Sequence, residues 1–335
     1  MSPLAPGAPL SRGSRRGRAP GRARQRGIAL LVAILLVAMG TIIAAALAYE
    51  NAMTARRGAA TFALDNTILV GEAAETLAAW GLKSTRQADS SHIYIGQGWD
   101  KPVGPVEVVP GVMLTAKLDD LAGRFNLNSL VKSDGTPNTV AVAAFQQLLA
   151  SLQIEPRWAG YMVDWIDQDI NPQTPDGAED SVYMGQLPPY RTANMYITST
   201  TELLALPGFG RDRYKKLAPF IVALPSDAKL NICTAPGLVL DAFIPGRQEF
   251  GQDPDQLQKN RQSATGCFPS QAEYQAAFES AQQYSAASSM FAMTSNYFRL
   301  TSFVTIDTTE FNLYSLMYLD NTGTVRPLIR TFTPD

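Results

Sequence analysis

Between Asp164 and Asp180 six carboxylates (Asp164, Asp167, Asp169, Asp176, Glu179 and Asp180) stand together with no Lys, Arg or His among them. Their repulsion calls for a counter-charge or for full exposure to water. Pro172, Pro175 and Gly177 break the segment into a loop that can turn carboxylates and backbone carbonyls toward one point. Hard oxygens so gathered suit Ca²⁺, which takes about 6–8 oxygen ligands. The spacing Asp167-x-Asp169-x-Asn171 imitates the start of an EF-hand loop, but Pro172 stands where Gly is needed and Ala178 where Glu is needed. A calcium loop of another shape and a solvated acidic loop with helix caps both fit this spacing. A glycosidase carboxylate pair fits poorly, because only Trp165 and Tyr183 could offer a sugar platform nearby.

Composition bounds the other chemistries. The 335 residues include one His (His92) and two Cys (Cys233, Cys267), which leaves no natural Ser/His/Asp triad and no Cys/His zinc cluster. Residues 1–27 hold seven Arg and no acid, so residues 28–335 carry the other 21 of the 28 Lys and Arg against 30 Asp and Glu, a net charge of −9. An acidic body argues against nucleic acid, whose affinity comes mainly from cations that displace counterions. The rival reading is a membrane-tethered DNA receptor. Residues 206–210 (LPGFG) have the form of a helix-hairpin-helix turn whose Gly amides can approach a phosphate, and Arg211, Arg213, Lys215 and Lys216 follow. Such a hairpin serves equally well as a packing unit. Trp80, Trp99, Trp158 and Trp165 read as core residues and His92 as a loop residue.

The scaffold for these groups begins with a helix. No charge interrupts residues 28–49, a run long enough to cross a bilayer core of about 30 Å. The Arg-rich flank puts residues 1–26 in the cytoplasm and the bulk of the chain across the membrane. A signal anchor or uncleaved signal peptide is the ordinary reading. Two details narrow it. The small residue Gly27 precedes the apolar stretch, so cleavage after it would leave the hydrophobic helix on the mature chain. Apolar residues also recur at Phe62, Leu69, Ala73, Leu77 and Trp80, and no Pro occurs before Pro102 and after Gly27. This predicts one helix from Ile28 to about Lys83, roughly 84 Å long, lipid-embedded in its first half and packed on a domain by that face in its second. Cys233 and Cys267 then lie outside the reducing cytosol. An even pair there points to a disulfide worth roughly 3–4 kcal/mol, with two buried free thiols as the alternative.

Beyond the helix, residues 96–111 read as a Gly/Pro-rich connection and Val112–Leu118 as a strand. Three strands close the chain: residues 298–306, with Phe298, Leu300, Val304 and Ile306 on one face, then 311–319 and 325–332, the last two joined by Asp320-Asn321-Thr322-Gly323. Pro327 prefers an edge. Residues 140–152, 201–206 and 271–288 carry helical patterns. The expected fold is α+β. A long N-terminal transmembrane and amphipathic helix lies on a small antiparallel sheet, and a large, mainly helical domain is inserted between the first and the later strands. The boundaries are 1–27 for a leader, 28–49 for the membrane part, 50–120 and 296–335 for the sheet domain, and 121–295 for the insertion.

Arg26-Gly27 followed by IALLVAILLV resembles a type IV prepilin start, which implies cleavage by a prepilin peptidase between Gly27 and Ile28. Most pilins carry Glu at the fifth mature position, and here Val32 occupies it. A carboxylate in an apolar core is costly unless paired. A subunit lacking it therefore suits the one place without a neighbour's amine to pair with, the filament tip. DLAGRFNLNSL (120–130), DWIDQDINPQTPDGAEDSVY (164–183), PYRTAN (189–194), ELLALPGF (202–209), YKKLAPFIVALP (214–225) and LNICTA (230–235) resemble, in order, the minor pseudopilin K family of bacterial type II secretion systems. The resemblance implies a non-enzymatic subunit of the inner membrane with its globular part in the periplasm. It would start or cap a pseudopilus with two other minor pseudopilins. The assembly platform, the prepilin peptidase, the secreted substrates and the outer-membrane channel would be its further partners, and no nucleic acid would be among them. It also implies one or two structural Ca²⁺ ions, with Asp167, Asp169, Asp176, Glu179 and Asp180 as ligands. Asp164 is set aside because it precedes the loop. Cys233 departs from the family pattern, which more often has Asn there.

Overall fold

The computed structural model describes residues 25–306 and 308–333. All but the last three backbone positions of the expected leader lie outside them. The described residues up to Ala63 and those from Leu64 onward form two compact units. In the first, the helix α1 (Gln25–Ala88) exposes Leu30, Leu31, Val32 and the other large apolar side chains up to Tyr49. This stretch is long and apolar enough to cross a membrane.

In the second unit the part of α1 from Leu64 to Ala88 stays helical, because no Pro in it removes an amide. It lies against an antiparallel sheet in the order β1-β2-β7-β8-β9. These strands are β1 (Val103–Val109), β2 (Val112–Asp120), β7 (Tyr297–Ile306), β8 (Thr309–Leu319) and β9 (Val325–Thr331). The sheet's inner face is built by period-2 alternation. Leu114, Ala116 and Leu118 of β2, Phe298, Leu300 and Val304 of β7, and Met317 and Leu319 of β8 pack on Val70, Ala74, Ala78 and Leu82 of α1.

The helix face that packs is not the one expected. Leu69, Leu77 and Trp80 are exposed, Trp80 to 68%. The buried face instead uses small residues, which let helix and sheet approach closely. A Cβ on Gly71 would overlap the side chain of Leu313. On the same face Glu75 is buried and forms a two-point ion pair with Arg330, at 2.7 Å from both Nε and Nη2, while Ser315 donates to it at 2.6 Å.

Strand β1, inside the expected connection, is a further difference. Gly104 and Pro105 hide its alternation, and every residue in it is exposed, so no buried face marks it. The insertion therefore follows the second strand rather than the first. Pro327 does lie on an edge strand, β9.

The insertion comprises β3 (Phe125–Asn126), α2 (Thr139–Ser151), α3 (Trp158–Ile166), α4 (Asp180–Tyr183), α5 (Gly210–Leu217), β4 (Ile221–Val222), β5 (Leu230–Asn231), α6 (Gly237–Ala242), α7 (Pro254–Ser263), α8 (Gln271–Ala276), α9 (Ala281–Ser288) and β6 (Phe291–Ala292). It has its own core, in which Phe125 stacks between Phe145 and Phe243, and Trp158 meets Phe209 edge-on. The helical pattern over 271–288 is split into α8 and α9, because Ser280 accepts from the Gln283 N–H and caps a new helix.

Entry and exit of the insertion are tied at Asp120. Its carboxylate accepts from Ser295 Oγ at 2.5 Å, Thr234 Oγ1 at 2.6 Å, Asn231 Nδ2 at 3.2 Å and the Ala122 N–H at 2.9 Å. Withdrawal from water still holds this carboxyl above the usual range. Cys233 and Cys267 are joined by a disulfide. Beside it the buried Arg261 donates to the carbonyls of Ala235, Ile232 and Phe268, a second link between the same two segments.

Candidate metal centre

Two elements bring the acidic residues together. Helix α3 buries Met162, Val163, Trp165 and Ile166 in the insertion core, and this carries Asp164 and Asp167 inward with them. The loop that follows folds back on α3, as two glycines permit. A Cβ on Gly160 would strike the Asp176 carbonyl, and one on Gly177 would strike the Gln173 amide and the Asp164 carboxylate. Asp164 closes the loop. Its Oδ1 accepts from the Gln173 N–H at 3.0 Å and its Oδ2 from the Ala178 N–H at 2.6 Å. Glu179, at the loop's end, is buried against Thr192.

Carboxylate oxygens of Asp164, Asp167 and Glu179 thus lie within 4.8 Å of one another, all three residues buried. Among the described residues neither Asp167 oxygen has a hydrogen-bond partner, nor has Glu179 Oε1; the Gln173 amide faces Asp167 without meeting bonding geometry. The side-chain oxygen of Asn194 is likewise buried and unpartnered, and Asn194 is held beside the loop by its N–H to the Trp165 carbonyl at 3.0 Å. Burial pushes all three carboxyls to about 7. The neighbouring charges of Asp169 and Glu179 add to it at Asp167, and those of Asp164 and Asp169 at Glu179.

Buried, mutually repelling carboxylates with unused lone pairs are costly alone and fit a hard divalent cation. Asp164, Asp167, Glu179 and the Asn194 oxygen are the residues that would hold it. The cation would supply charge compensation and cross-link α3 to the loop.

The expected ligand set is therefore placed unevenly. Asp167 and Glu179 converge. Asp169 is exposed and accepts from the Asn171 N–H, while adding its charge to the centre. Asp176 is exposed and meets α3 through its backbone. Asp180 bonds to Thr192 and faces Arg191 at 3.7 Å. Asp164, set aside in the sequence, belongs to the group because the loop returns over the last turns of α3. Asn194 had no signal beyond its place in the PYRTAN block.

The hairpin at 206–210 is used for packing. Leu206 and Phe209 are buried, and Arg213 is drawn into a two-point pair with Glu155 at 2.8 Å and lies over the Trp158 ring.

A long apolar helix whose second part packs on a small antiparallel sheet, interrupted by a helical insertion, defines a pilin-like protein with an added α-domain. The family model described as type II secretion system (T2SS), protein K, matches residues 123–226. Type II secretion system protein K of Pseudomonas aeruginosa is 35% identical over 244 residues, covering 68% of this chain and 72% of that one. That of Aeromonas hydrophila is 35% identical over 228 residues, covering 64% and 69%. This chain belongs to the type II secretion system protein K family. A chain from the crystal structure of the GspK-GspI-GspJ complex from enterotoxigenic Escherichia coli shares the fold, with a TM-score of 0.71 at 23% identity, over 83% of this chain and 100% of that one.

Proposed function

We propose that this chain acts as a minor pseudopilin, cleaved between Gly27 and Ile28 by a prepilin peptidase. Residues 28–49 hold it in the inner membrane and its globular part stands in the periplasm. It starts or caps the pseudopilus at the tip with two other minor pseudopilins, and its role is structural, not catalytic. The observation that carries this reading is the apolar face that α1 leaves uncovered. Leu77 and Trp80 border a groove of about 530 Å³ that Gly81, Trp99 and Leu118 also line. Single exposed apolar residues are ordinary, but an aromatic edge on an apolar groove marks an interaction surface. Pilin-like partners, each with a long apolar helix, suit it, and the solved relative comes from a complex of K, I and J subunits.

Val32 adds support for the tip, since it brings no carboxylate into the helix packing. The three-carboxylate centre is read as a structural Ca²⁺ site that orders the loop over residues 167–179. The test is co-purification of the full chain with the I and J subunits of its own system. Wild type is expected to bring down both, and Trp80→Asp to lose at least one while its melting temperature is kept. Undiminished recovery with Trp80→Asp would remove the groove from the assembly surface, and a mature N-terminus other than Ile28 would overturn the processing step.

A further inference from the structure

On the sheet face opposite α1, Leu121, Val222 and Leu224 join the insertion to the sheet, with Tyr297 and Leu316 packed against them. Beside this joint lies a cavity of about 260 Å³ that no part of the pseudopilin reading uses. Its walls are mixed, apolar at Ile221, Val222, Leu224 and Ile329 and polar elsewhere. The sheet contributes Arg299, Tyr314 and Thr331, the insertion Thr198 and Ser199, and Arg124 stands at the junction.

Asp119 faces these cations, and Lys117 at 2.8 Å, Arg299 at 3.4 Å and the field of Arg124 all act on it. They hold its carboxyl below the usual range against the opposing effect of burial, so it is already ionised and already shared. Glu202 is turned away and accepts from Trp165 Nε1 and the Thr198 N–H. Arg299, with 19% of its side chain exposed, spends one nitrogen on the long contact to Asp119, while its Nε has no partner among the described residues. A guanidinium presents several donors in a fork that matches a carboxylate, and here most of the fork is unspent.

We propose that this seam cavity is a carboxylate-binding site, in which Arg299 pairs with the anion and the hydroxyls of Tyr314 and Ser199 complete its hydrogen bonds. The cavity holds one carboxylate-bearing side chain or a small free acid. Its occupant touches both sheet and insertion, so binding stiffens the joint between them.

The experiment uses the full chain in detergent micelles at constant saturating Ca²⁺, with sodium propionate and blocked N-acetyl-glutamate amide titrated against sodium chloride at matched ionic strength. The readout is the melting temperature together with the Trp and Tyr fluorescence. The carboxylates are expected to raise the melting temperature saturably and chloride not to do so. Arg299→Gln should weaken binding by about tenfold or more, the size of one charge-assisted pair. Tyr314→Phe should weaken it less, and Arg211→Gln, on the hairpin surface, not at all. Tighter binding of the blocked glutamate than of propionate assigns the site to a protein-borne acid; equal binding assigns it to free acids. An effect of chloride equal to that of the carboxylates, or unchanged binding in both Arg299→Gln and Tyr314→Phe, would overturn the proposal.

Discussion

At the scale of residues, the informative feature is buried oxygen without a partner. Asp167 is carried inward because it shares the end of α3 with Trp165 and Ile166, so its desolvation follows from where those apolar groups must go. If the centre takes Ca²⁺, the ion binds the folded loop and not the open one, and the melting temperature rises with calcium by linkage. Asp167→Asn with Glu179→Gln should abolish that rise, while Asp176→Asn should leave most of it; loss of the rise in Asp176→Asn would put the ligands further out in the loop. The pH dependence has a definite sign. Unfolded carboxyls titrate near pH 4, and the folded ones are pushed to about 7. Between those values the cation-free folded state binds more protons than the unfolded state, so its stability is greatest at the acid end and falls as pH rises through the window. A bound cation needs the carboxylates ionised and reverses the trend. Chelated protein should therefore melt lower at pH 7.5 than at pH 5.5 and calcium-loaded protein higher; a chelated protein indifferent to pH would mean the three carboxyls are hydrated.

At the scale of elements, α1 shows how one helix serves two surfaces. Its small face, with Gly71, Ala74 and Ala78, lies close on the sheet, and the large face with Leu69, Leu77 and Trp80 is left over. Among the contacts on the small face, Glu75 with Arg330 is the directional one, and removing Arg330 strands the buried Glu75 carboxylate. Arg330→Ala should cost on the order of 3 kcal/mol, read by urea denaturation, and Glu72→Ala much less because its contact to Arg330 is half exposed. Equal small effects of the two would show that α1 is held by apolar packing alone. In the insertion, the disulfide and Arg261 join the same pair of segments. Cys233→Ser should accordingly lower stability by roughly 2–4 kcal/mol while leaving the domain folded, as near-ultraviolet circular dichroism would report.

At the scale of the whole molecule, apolar helix, sheet and insertion are parts of one type II secretion system protein K chain, and Val32 bears on the proposed place at the tip. Val32→Glu should impair pseudopilus assembly and secretion of exoproteins in a complemented strain; unchanged secretion would count against a tip location. Much of this was legible in the chain before it was folded. An apolar run without a charge can only be lipid-facing or buried, and period-2 alternation in residues 298–306 can satisfy only one sheet face, so α1 and the closing strands follow from local pattern. The spacing of acids likewise announces a loop that must settle its repulsion. Tertiary structure alone decided which carboxylates meet, because Asp164 and Glu179 are brought together by a chain reversal that Gly160 and Gly177 permit and no periodicity encodes. It also decided which face of α1 is covered. Hydrophobicity favours burying Leu69, Leu77 and Trp80, but close packing on a five-stranded sheet favours the small residues beside them, and the large face remains apolar and open.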